Sequence, residues 1–458
     1  MDKPRGKTLP EFRILSTTAI LGYGFPESSF RNGLRRKPHL IAADAGSTDP
    51  GPYYLGVGKS FTSRAGVKRD LRYMITEGVR RKIPVVVGSA GGSGARPHTE
   101  WCLEIIREIA REEKLHFRLG VVYADFKKET VLRAMRRGRV KPLAFVPNLT
   151  REAVLETEYI VGQMGIEPII RLLKKKCDVV LAGRCYDPAV FAALPIMRGY
   201  NPGLALHLGK ILECAAIAAT PGSGSDCALG TLRQDSFILE ALSPARRFTP
   251  ESTAAHTLYE KTDPYHLPGP GGEIDLTGCS FTDIGGGRVE VRGSRFVPTE
   301  KYFIKLEGAR PTGYRAITIA GVRDPIMIAG IDAILKSVEG QVRAMLKKEG
   351  NRGRVFFHVY GKDGVMGELE PHRDAPAHEL GILIEALGRT PEEAEALLSV
   401  TRSTLLHYGY PGRISTAGNL AFPFSPSDIT MGRMYEFSLY HLMELDDPDG
   451  FPSKVHVF

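Results

Sequence analysis

Short apolar runs alternate with amphipathic stretches between residues 13 and 182, and this alternation constrains the fold more than any other feature of the sequence. The amphipathic stretches have helical spacing, whereas the runs are apolar throughout, as strands are when both faces of a sheet are covered. Such an alternation is typical of α/β proteins. The predicted strands are 13–16, 39–43, 83–87, 119–123 and 178–182, and the predicted helices are 69–80, 99–113, 128–137 and 157–175. We therefore predict an α/β fold with a mostly parallel sheet and helices on both faces.

The cluster Gly350-Asn-Arg-Gly353 predicts a domain boundary, because Gly and Asn interrupt regular structure. Before it we predict an α/β domain over residues 12–345. After it we predict a small α+β domain over residues 351–458, with a strand at 354–360 and a helical hairpin at 377–406.

Cysteine usage and charge restrict the compartment and the partners. The six cysteines are scattered without a C-x-x-C pair, which is typical of reduced thiols in a cytoplasmic protein. The formal charge of +9 comes from short basic runs in segments that also carry acidic residues, so we expect no nucleic-acid partner. A positive field that attracts a small anionic substrate fits this pattern better. No apolar run approaches the ~20 residues that cross a bilayer, so we expect no membrane partner.

Familiar cofactor signatures fail on inspection. The segment 56–60 ends like a P-loop, but Tyr53 stands where the first glycine belongs, which disfavours NTP hydrolysis. No dinucleotide fingerprint is recognisable. His372, Asp374 and His378 have metal-ligand spacing but lie in a Pro-rich segment. The cofactor is therefore unknown: a divalent metal stays open, as does CoA as part of the substrate.

The Gly-rich segment 88–95 follows a predicted strand and precedes a predicted helix. Glycines there let backbone N–H groups approach a ligand, and the start of a helix favours an anion. We predict that this loop binds a carboxylate or a phosphate; the alternative is a flexible strand-to-helix connection. Its predicted substrate-binding residues are Ser89, Gly91, Gly92, Ser93 and Gly94.

A second polar loop follows the predicted strand 39–43, so it should lie at the same edge of the sheet. Asp44 and Asp49 could ligate a cation or act as acid and base, and Ser47 and Thr48 could hold a substrate oxygen. The alternative is an Asx-turn loop, since Asp, Ser, Pro and Gly all favour turns.

Arg184 and Asp187 follow the predicted strand 178–182. Arg184 could make a two-pronged contact with a carboxylate of the substrate. Asp187 is a second predicted substrate contact; alternatively it only caps a helix that has Pro188 in its first turn.

Two helical segments carry further candidates. Helical spacing places His207 and Lys210 on one face of an apolar helix, with Glu213 beside Lys210. Burial shifts pKa values, so we predict Lys210 and Glu213 as catalytic groups and His207 as a substrate contact; the alternative is a structural Lys–Glu pair. His256, with Glu260 one turn later, is a predicted general base, or else a satisfied core histidine.

Eight longer blocks carry a resemblance to a known family. They are Leu21-Gly-Tyr-Gly-Phe, Asp44-Ala-Gly-Ser-Thr-Asp-Pro-Gly-Pro-Tyr-Tyr-Leu-Gly, Gly88-Ser-Ala-Gly-Gly-Ser-Gly, Val161-Gly-Gln-Met-Gly, Val180-Leu-Ala-Gly-Arg, His207-Leu-Gly-Lys-Ile-Leu-Glu-Cys, Ala255-His-Thr-Leu-Tyr-Glu and Lys305-Leu-Glu-Gly-Ala. Together they resemble the acyclic terpene utilisation family, whose founding member belongs to bacterial citronellol and geraniol catabolism. The resemblance runs from about residue 12 to 345, and the tail resembles the ferredoxin-like domain that often follows in this family. It implies a catabolic context, with links to acyl-CoA metabolism and carboxylate uptake, and it implies no catalytic residue set.

These features predict a lyase or hydratase that acts beside a carbonyl group of a small carboxylate or its acyl-CoA thioester by general acid/base chemistry. The alternative is a non-catalytic subunit that binds an acyl ligand or a partner enzyme in a catabolic complex. We further expect a homo-oligomer, with a small partner subunit as an open addition.

Overall fold

The computed structural model describes residues 9–347 and 350–458. The chain forms two compact units: the residues up to Arg310 together with Phe437–Phe458 make the first, and Pro311–Glu436 make the second. The second unit is therefore an insertion in the sequence of the first. These limits differ from 12–345 and 351–458, and the latter ranges stay a prediction about domains.

The described residues form a mixed α/β structure with thirteen α-helices and nineteen strands. The helices are α1 Glu27–Arg35, α2 Pro52–Val57, α3 Arg64–Arg81, α4 Arg96–Glu112, α5 Lys128–Arg136, α6 Arg151–Glu156, α7 Glu167–Lys174, α8 Ala189–Met197, α9 Pro202–Leu212, α10 Pro250–Thr257, α11 Pro325–Ala329, α12 Ile331–Lys347 and α13 Pro391–Leu406. The strands are β1 Phe12–Ser16, β2 Leu40–Asp44, β3 Val85–Gly88, β4 Arg118–Val122, β5 Val140–Pro142, β6 Tyr159–Gly162, β7 Val179–Ala182, β8 Ala228–Leu232, β9 Ser236–Ala241, β10 His266–Gly269, β11 Gly272–Asp275, β12 Ser280–Asp283, β13 Arg288–Arg292, β14 Arg295–Pro298, β15 Tyr302–Val322, β16 Arg354–Tyr360, β17 Leu380–Gly388, β18 Asp428–Leu445 and β19 Ser453–Val457. No helix in these described ranges is long and apolar enough to cross a membrane.

The first unit contains a ten-stranded sheet in the order β12-β13-β9-β8-β1-β2-β3-β7-β4-β19. The pairs between β1, β2, β3, β7 and β4 are parallel, as the alternation of strands and helices predicts. The remaining pairs are antiparallel, and the smaller sheets are antiparallel too. The prediction of a mostly parallel sheet is therefore wrong. Strands such as β8 and β9 are joined by only a few residues, which permits an antiparallel pair but no helical crossover.

The parallel strands are buried on both faces, because successive side chains of a strand point to opposite sides of the sheet. Ile41, Val85 and Leu181 belong to one apolar cluster together with the buried sides of α3 and α4. Helix α8 packs against β2 and β3, and α9 packs against β8. The apolar runs of the sequence therefore form the centre of the first unit.

The carboxyl ends of β2, β3 and β7 lie side by side. Asp44, the last residue of β2, is in register with Gly88 at the end of β3. Val87 of β3 is in turn in register with Leu181 of β7. The polar loops that follow these strands consequently leave the sheet at one edge, which is where ligands bind in open α/β sheets.

The second unit contains part of β15, helices α11, α12 and α13, strands β16 and β17, and part of β18. Strand β17 pairs antiparallel with both β15 and β16. The predicted helical hairpin at 377–406 is wrong in its first half, because residues Leu380–Gly388 form β17. Every second residue of β17 is buried against the apolar cluster that α12 and α13 share, which is the period of a strand. The second half of the hairpin is confirmed as α13.

Candidate functional site

A cavity of about 630 Å³ opens in the first unit near the carboxyl ends of the parallel strands. Its volume is in the range of small-molecule sites, which run from roughly 300 to 1,000 Å³. Charged side chains form a large part of its lining: Asp49, Arg184, Asp187, Lys210, Glu260, Lys261, Asp263, Glu273 and Lys305. Its apolar and aromatic lining includes Leu143, Tyr186, Pro268, Phe303, Tyr440 and Leu442.

Arg184 is the centre of a buried polar network. Its Nη1 donates to Ser89 Oγ at 3.1 Å and to Asp187 Oδ1 at 3.0 Å, and its Nε donates to Glu307 Oε2 at 2.7 Å. The residue is 2 % exposed, so these contacts replace the water that a guanidinium needs. Arg184 therefore makes a two-pronged contact with the Glu307 carboxylate of its own chain, and the contact with a substrate carboxylate stays a prediction.

Glu307 is fully buried and connects Arg184 to two further polar side chains. Its Oε1 lies 2.8 Å from Lys305 Nζ and accepts a hydrogen bond from Thr48 Oγ1 at 3.1 Å. Burial alone would raise the pKa of Glu307, but the charges of Arg184 and Lys305 outweigh it and lower the pKa to about 2. Glu307 is therefore ionised at physiological pH, and it contacts two residues that line the cavity.

Asp187 and Glu213 form a carboxyl pair beside the ammonium of Lys210. Lys210 Nζ is in close contact with Glu213 Oε1, and a hydrogen bond joins the carboxyl groups of Glu213 and Asp187. Burial, opposed only in part by Lys210, raises the pKa of Glu213 to about 8. Burial also disfavours the anion of Asp187, but Arg184 and the hydrogen bond with Glu213 outweigh it and lower its pKa. At neutral pH Glu213 thus carries the proton and Asp187 carries the charge.

The packing of α9 against α8 brings this pair together. Asn201 caps α9, where its side chain accepts hydrogen bonds from Gly203 and Leu204. A Cβ on Gly209 would lie 2.6 Å from the carbonyl oxygen of Pro188, so only glycine lets the two helices approach this closely. Helix α8 has no side-chain cap, so Asp187 is not a helix cap and its carboxyl group is used by the network.

The buried charges do not cancel. Arg184, Lys210 and Lys305 supply three positive charges, whereas Asp187 and Glu307 supply two negative ones. Burial, followed by repulsion from Asp187, raises the pKa of Asp44 well above its usual value, which disfavours its anion. With Glu213 protonated, these side chains leave one positive charge, and Lys261 adds another to the lining, whereas Asp49, Glu260, Asp263 and Glu273 add four negative ones. The cavity therefore presents cations and carboxylates side by side.

The structure brings some of the predicted residues to the cavity and leaves others away from it. Asp49, Arg184, Asp187 and Lys210 line the cavity. Thr48, Ser89 and Glu213 contact those lining residues or Glu307, which lies beneath them. Ser47 bonds to Asp49, and the carbonyl oxygen of Gly94 accepts a hydrogen bond from the backbone N–H of Arg184. The remaining predicted residues are Asp44, Gly91, Gly92, Ser93, His207 and His256, which do not line the cavity.

The Gly-rich loop 88–95 is buried and bonded internally. The N–H groups of Ser89 and Gly94 donate to the carbonyl oxygens of Gly183 and Ala90. At the start of α4, the N–H of Arg96 donates to Asp125 Oδ1 at 2.9 Å. The acceptor at this helix terminus is therefore a side chain of the same protein. The loop itself packs against Arg184.

The two candidate histidines are buried. His207 is fully buried, with Nδ1 at 2.7 Å from Ser294 Oγ and Nε2 at 3.0 Å from Thr257 Oγ1. Burial lowers the pKa of His207 to about 3, and burial together with Lys210 lowers that of His256 to about 4. Both imidazoles are neutral at physiological pH, and His256 stacks on the ring of Tyr259.

Sequence reasoning missed Lys305, Glu307, Tyr440 and Tyr186 as site residues. Phe303, Lys305 and Glu307 share one face of β15, where charged residues replace the apolar ones expected of a buried strand. That alternation was a usable signal. Tyr440 accepts a hydrogen bond from Lys305 at 3.1 Å. It lies 135 residues further along the chain, and no sequence signal there indicated a site residue.

The described residues offer no group of three or more His, Cys, Asp or Glu side chains that could hold a metal ion. His372, Asp374 and His378 belong to the second unit, where they are partly or fully exposed. All six cysteines have free thiols.

Comparisons with known proteins give one match. The family described as acyclic terpene utilisation family protein AtuA matches residues 63–227 and 237–424. Searches of the curated proteins and of the solved structures found no match.

Proposed function

Since this chain belongs to the acyclic terpene utilisation family, we propose that it is a catabolic enzyme of the lyase or hydratase class. Its substrate would be a small carboxylate or the corresponding acyl-CoA thioester. The chemistry would be general acid/base catalysis next to the carbonyl group.

The carboxyl pair of Asp187 and Glu213 carries this proposal. Two carboxyl groups whose surroundings separate their pKa values divide the roles of base and acid between them. The Asp187 anion would remove a proton from the carbon beside the carbonyl. Glu213, with a pKa of about 8, would hold a proton for the leaving or entering oxygen, and Lys210 would stabilise Glu213 once it is ionised.

The side chain of Lys261 supports an anionic substrate. Lys261 lines the cavity and forms no salt bridge or side-chain hydrogen bond with the described residues. Its ammonium group is therefore available for a carboxylate or a phosphate. Burial and the neighbouring Lys210 lower the pKa of Lys261, and a bound anion would raise it again.

Hydrogen–deuterium exchange at carbon tests the proposal without knowledge of the full reaction. The protein is incubated in D2O with butanoate and butanoyl-CoA, and with crotonoyl-CoA for hydration, and the products are weighed by mass spectrometry. We expect exchange beside the carbonyl, or addition of water. Asp187→Asn should lose at least about a hundredfold of either reaction, and Glu213→Gln should lose as much of the addition of water. The matched control is Glu167→Gln, because Glu167 also has a pKa raised by burial but bonds to Tyr302, and neither residue lines the cavity. Equal rates in wild type and Asp187→Asn would contradict the proposal.

One observation favours the non-catalytic alternative. Arg184 already donates to Ser89, Asp187 and Glu307 of its own chain, as a structural arginine would. A subunit that binds an acyl ligand would show tight binding of butanoyl-CoA together with no exchange and no hydration.

Three finer proposals accompany this function. The order strand, helices, strand, strand, helix, strand in the second unit supports a ferredoxin-like topology there. A homo-oligomer and a small partner subunit are testable by native mass spectrometry of the protein from its host. The six free thiols support a cytoplasmic location.

A further inference from the structure

Tyr186 has a hydroxyl group that the protein itself does not use. The residue lies between Arg184 and Asp187 in the sequence, lines the cavity and is 7 % exposed. Its hydroxyl oxygen is buried and has no hydrogen-bond partner among residues 9–347 and 350–458. A buried hydroxyl without a partner costs about 1–3 kcal/mol, so a ligand that supplies an acceptor would recover that free energy.

The surroundings of Tyr186 hold its ring in place. Its backbone N–H donates to the carbonyl oxygen of Met164 at 2.8 Å. The ring packs under Gly269 of β10, where a Cβ would come within 2.8 Å of two ring carbons and within 3.0 Å of the hydroxyl oxygen. Gly269 therefore leaves room for this one position of the phenol, and a fixed donor costs little reorganisation when charge develops next to it.

Tyr186 keeps its proton and lies close to the acid/base groups. Burial raises the pKa of Tyr186, and the charge of Lys210 opposes this only in part. Asp187 follows Tyr186 directly in the sequence, and both residues line the cavity with Lys210. The phenol is therefore a hydrogen-bond donor at every physiological pH, and it cannot replace Asp187 as a base.

We propose that the Tyr186 hydroxyl donates a hydrogen bond to the carbonyl oxygen of an acyl substrate, which makes the ligand of this cavity an acyl compound with an acidic C–H next to its carbonyl. The proposal rests on the function proposed above and adds the group that receives the negative charge. When Asp187 takes the proton, the electron pair of the C–H bond forms a carbon–carbon double bond and the carbonyl π electrons move onto oxygen. The Tyr186 hydroxyl stabilises that oxygen anion and retains its own proton throughout.

The binding test compares two probes that differ in one oxygen. Butanoyl-CoA has the carbonyl group, whereas S-butyl-CoA is a thioether without it. Their dissociation constants are measured by calorimetry on wild type, Tyr186→Phe and the control Tyr302→Phe, whose hydroxyl donates to Glu167 instead. We expect wild type and Tyr302→Phe to prefer butanoyl-CoA, and Tyr186→Phe to lose that preference while binding S-butyl-CoA as before.

The kinetic test uses the exchange reaction in D2O. Removal of one oxyanion donor lowers kcat by roughly a hundredfold or more, so we expect that loss in Tyr186→Phe with a KM changed by less than about threefold. Gly269→Ala should give a smaller loss of the same kind, because its Cβ displaces the ring.

The outcomes separate this inference from the proposed function. A wild-type preference for the carbonyl probe that Tyr186→Phe abolishes, together with no exchange in any variant, supports the donor and refutes the catalytic function. The same preference in wild type and Tyr186→Phe, or no preference or no binding in wild type, overturns the inference.

Discussion

Replacement of Glu307 by Gln should destabilise the first unit by about 3 kcal/mol at neutral pH. Glu307 is fully buried, and its pKa lies at about 2 instead of the ordinary 4.5 because Arg184 and Lys305 hold the anion. At about 1.4 kcal/mol for each tenfold change in acidity, that difference corresponds to about 3 kcal/mol of free energy of unfolding. The amide keeps the volume and removes the charge, so the two cations lose their shared partner. Losses of 3–5 kcal/mol are typical when one member of a buried ion pair is removed.

The assay is urea unfolding followed by tryptophan fluorescence. Trp101, the single tryptophan, lies in α4 and so reports on the first unit, to which Glu307 also belongs. The control is Glu240→Gln, which breaks the surface pair with Arg36 and should cost less than about 1 kcal/mol. Because the folded pKa of Glu307 is lowered, its contribution is complete above pH 4.5 and is lost as the pH falls through about 2. The difference in unfolding free energy between wild type and Glu307→Gln should therefore become smaller in acid. A difference below 1 kcal/mol at pH 7, or one that widens in acid, would refute the reasoning.

Two further predictions concern the carboxyl pair and the Gly-rich loop. The rate of crotonoyl-CoA hydration should fall as the pH rises through about 8, because Glu213 then loses the proton it holds as the acid; a rate that stays constant from pH 7 to 9.5 would exclude Glu213 from that role. Gly94→Ala should lower the unfolding free energy by roughly 1–3 kcal/mol, because its Cβ would lie 2.1 Å from the backbone nitrogen of Arg184. Gly138→Ala is the matched control for thermal unfolding, since Gly138 has nearly the same φ but nothing within 4 Å, and equal losses in both variants would assign the effect to φ alone.

The central fold follows from local patterns, and for that reason the sequence predicts it. The runs at 39–43, 83–87 and 178–182 overlap β2, β3 and β7, because a strand buried on both faces needs apolar residues at every position. The predicted helix at 157–175 is wrong in its first part, where Tyr159–Gly162 forms β6 and pairs with β15. That pairing joins segments some 145 residues apart, and no local pattern reports it.

The candidate site shows the same division. Polar residues after strand ends indicate Asp49, Arg184 and Asp187, because the edge of a parallel sheet gathers such residues. The hydrogen bond between Asp187 and Glu213 depends on the close approach of α8 and α9 at Gly209. The spacing of residues along one helix cannot predict how closely two helices approach. The pKa separation that defines acid and base arises from burial, and burial is a property of the folded chain.

The pairing of β19 with β4 has a consequence for how the protein is made. Residues 453–457 reach β4 only after more than 300 further residues have been synthesised, the whole inserted unit among them. Until then the N–H and C=O groups along the outer side of β4 are a free template for another chain. If translation pauses within the inserted unit, the nascent chain presents this unpaired strand edge for longer. We therefore expect slow codons in that stretch, or heat stress during its translation, to increase chaperone binding to the nascent chain.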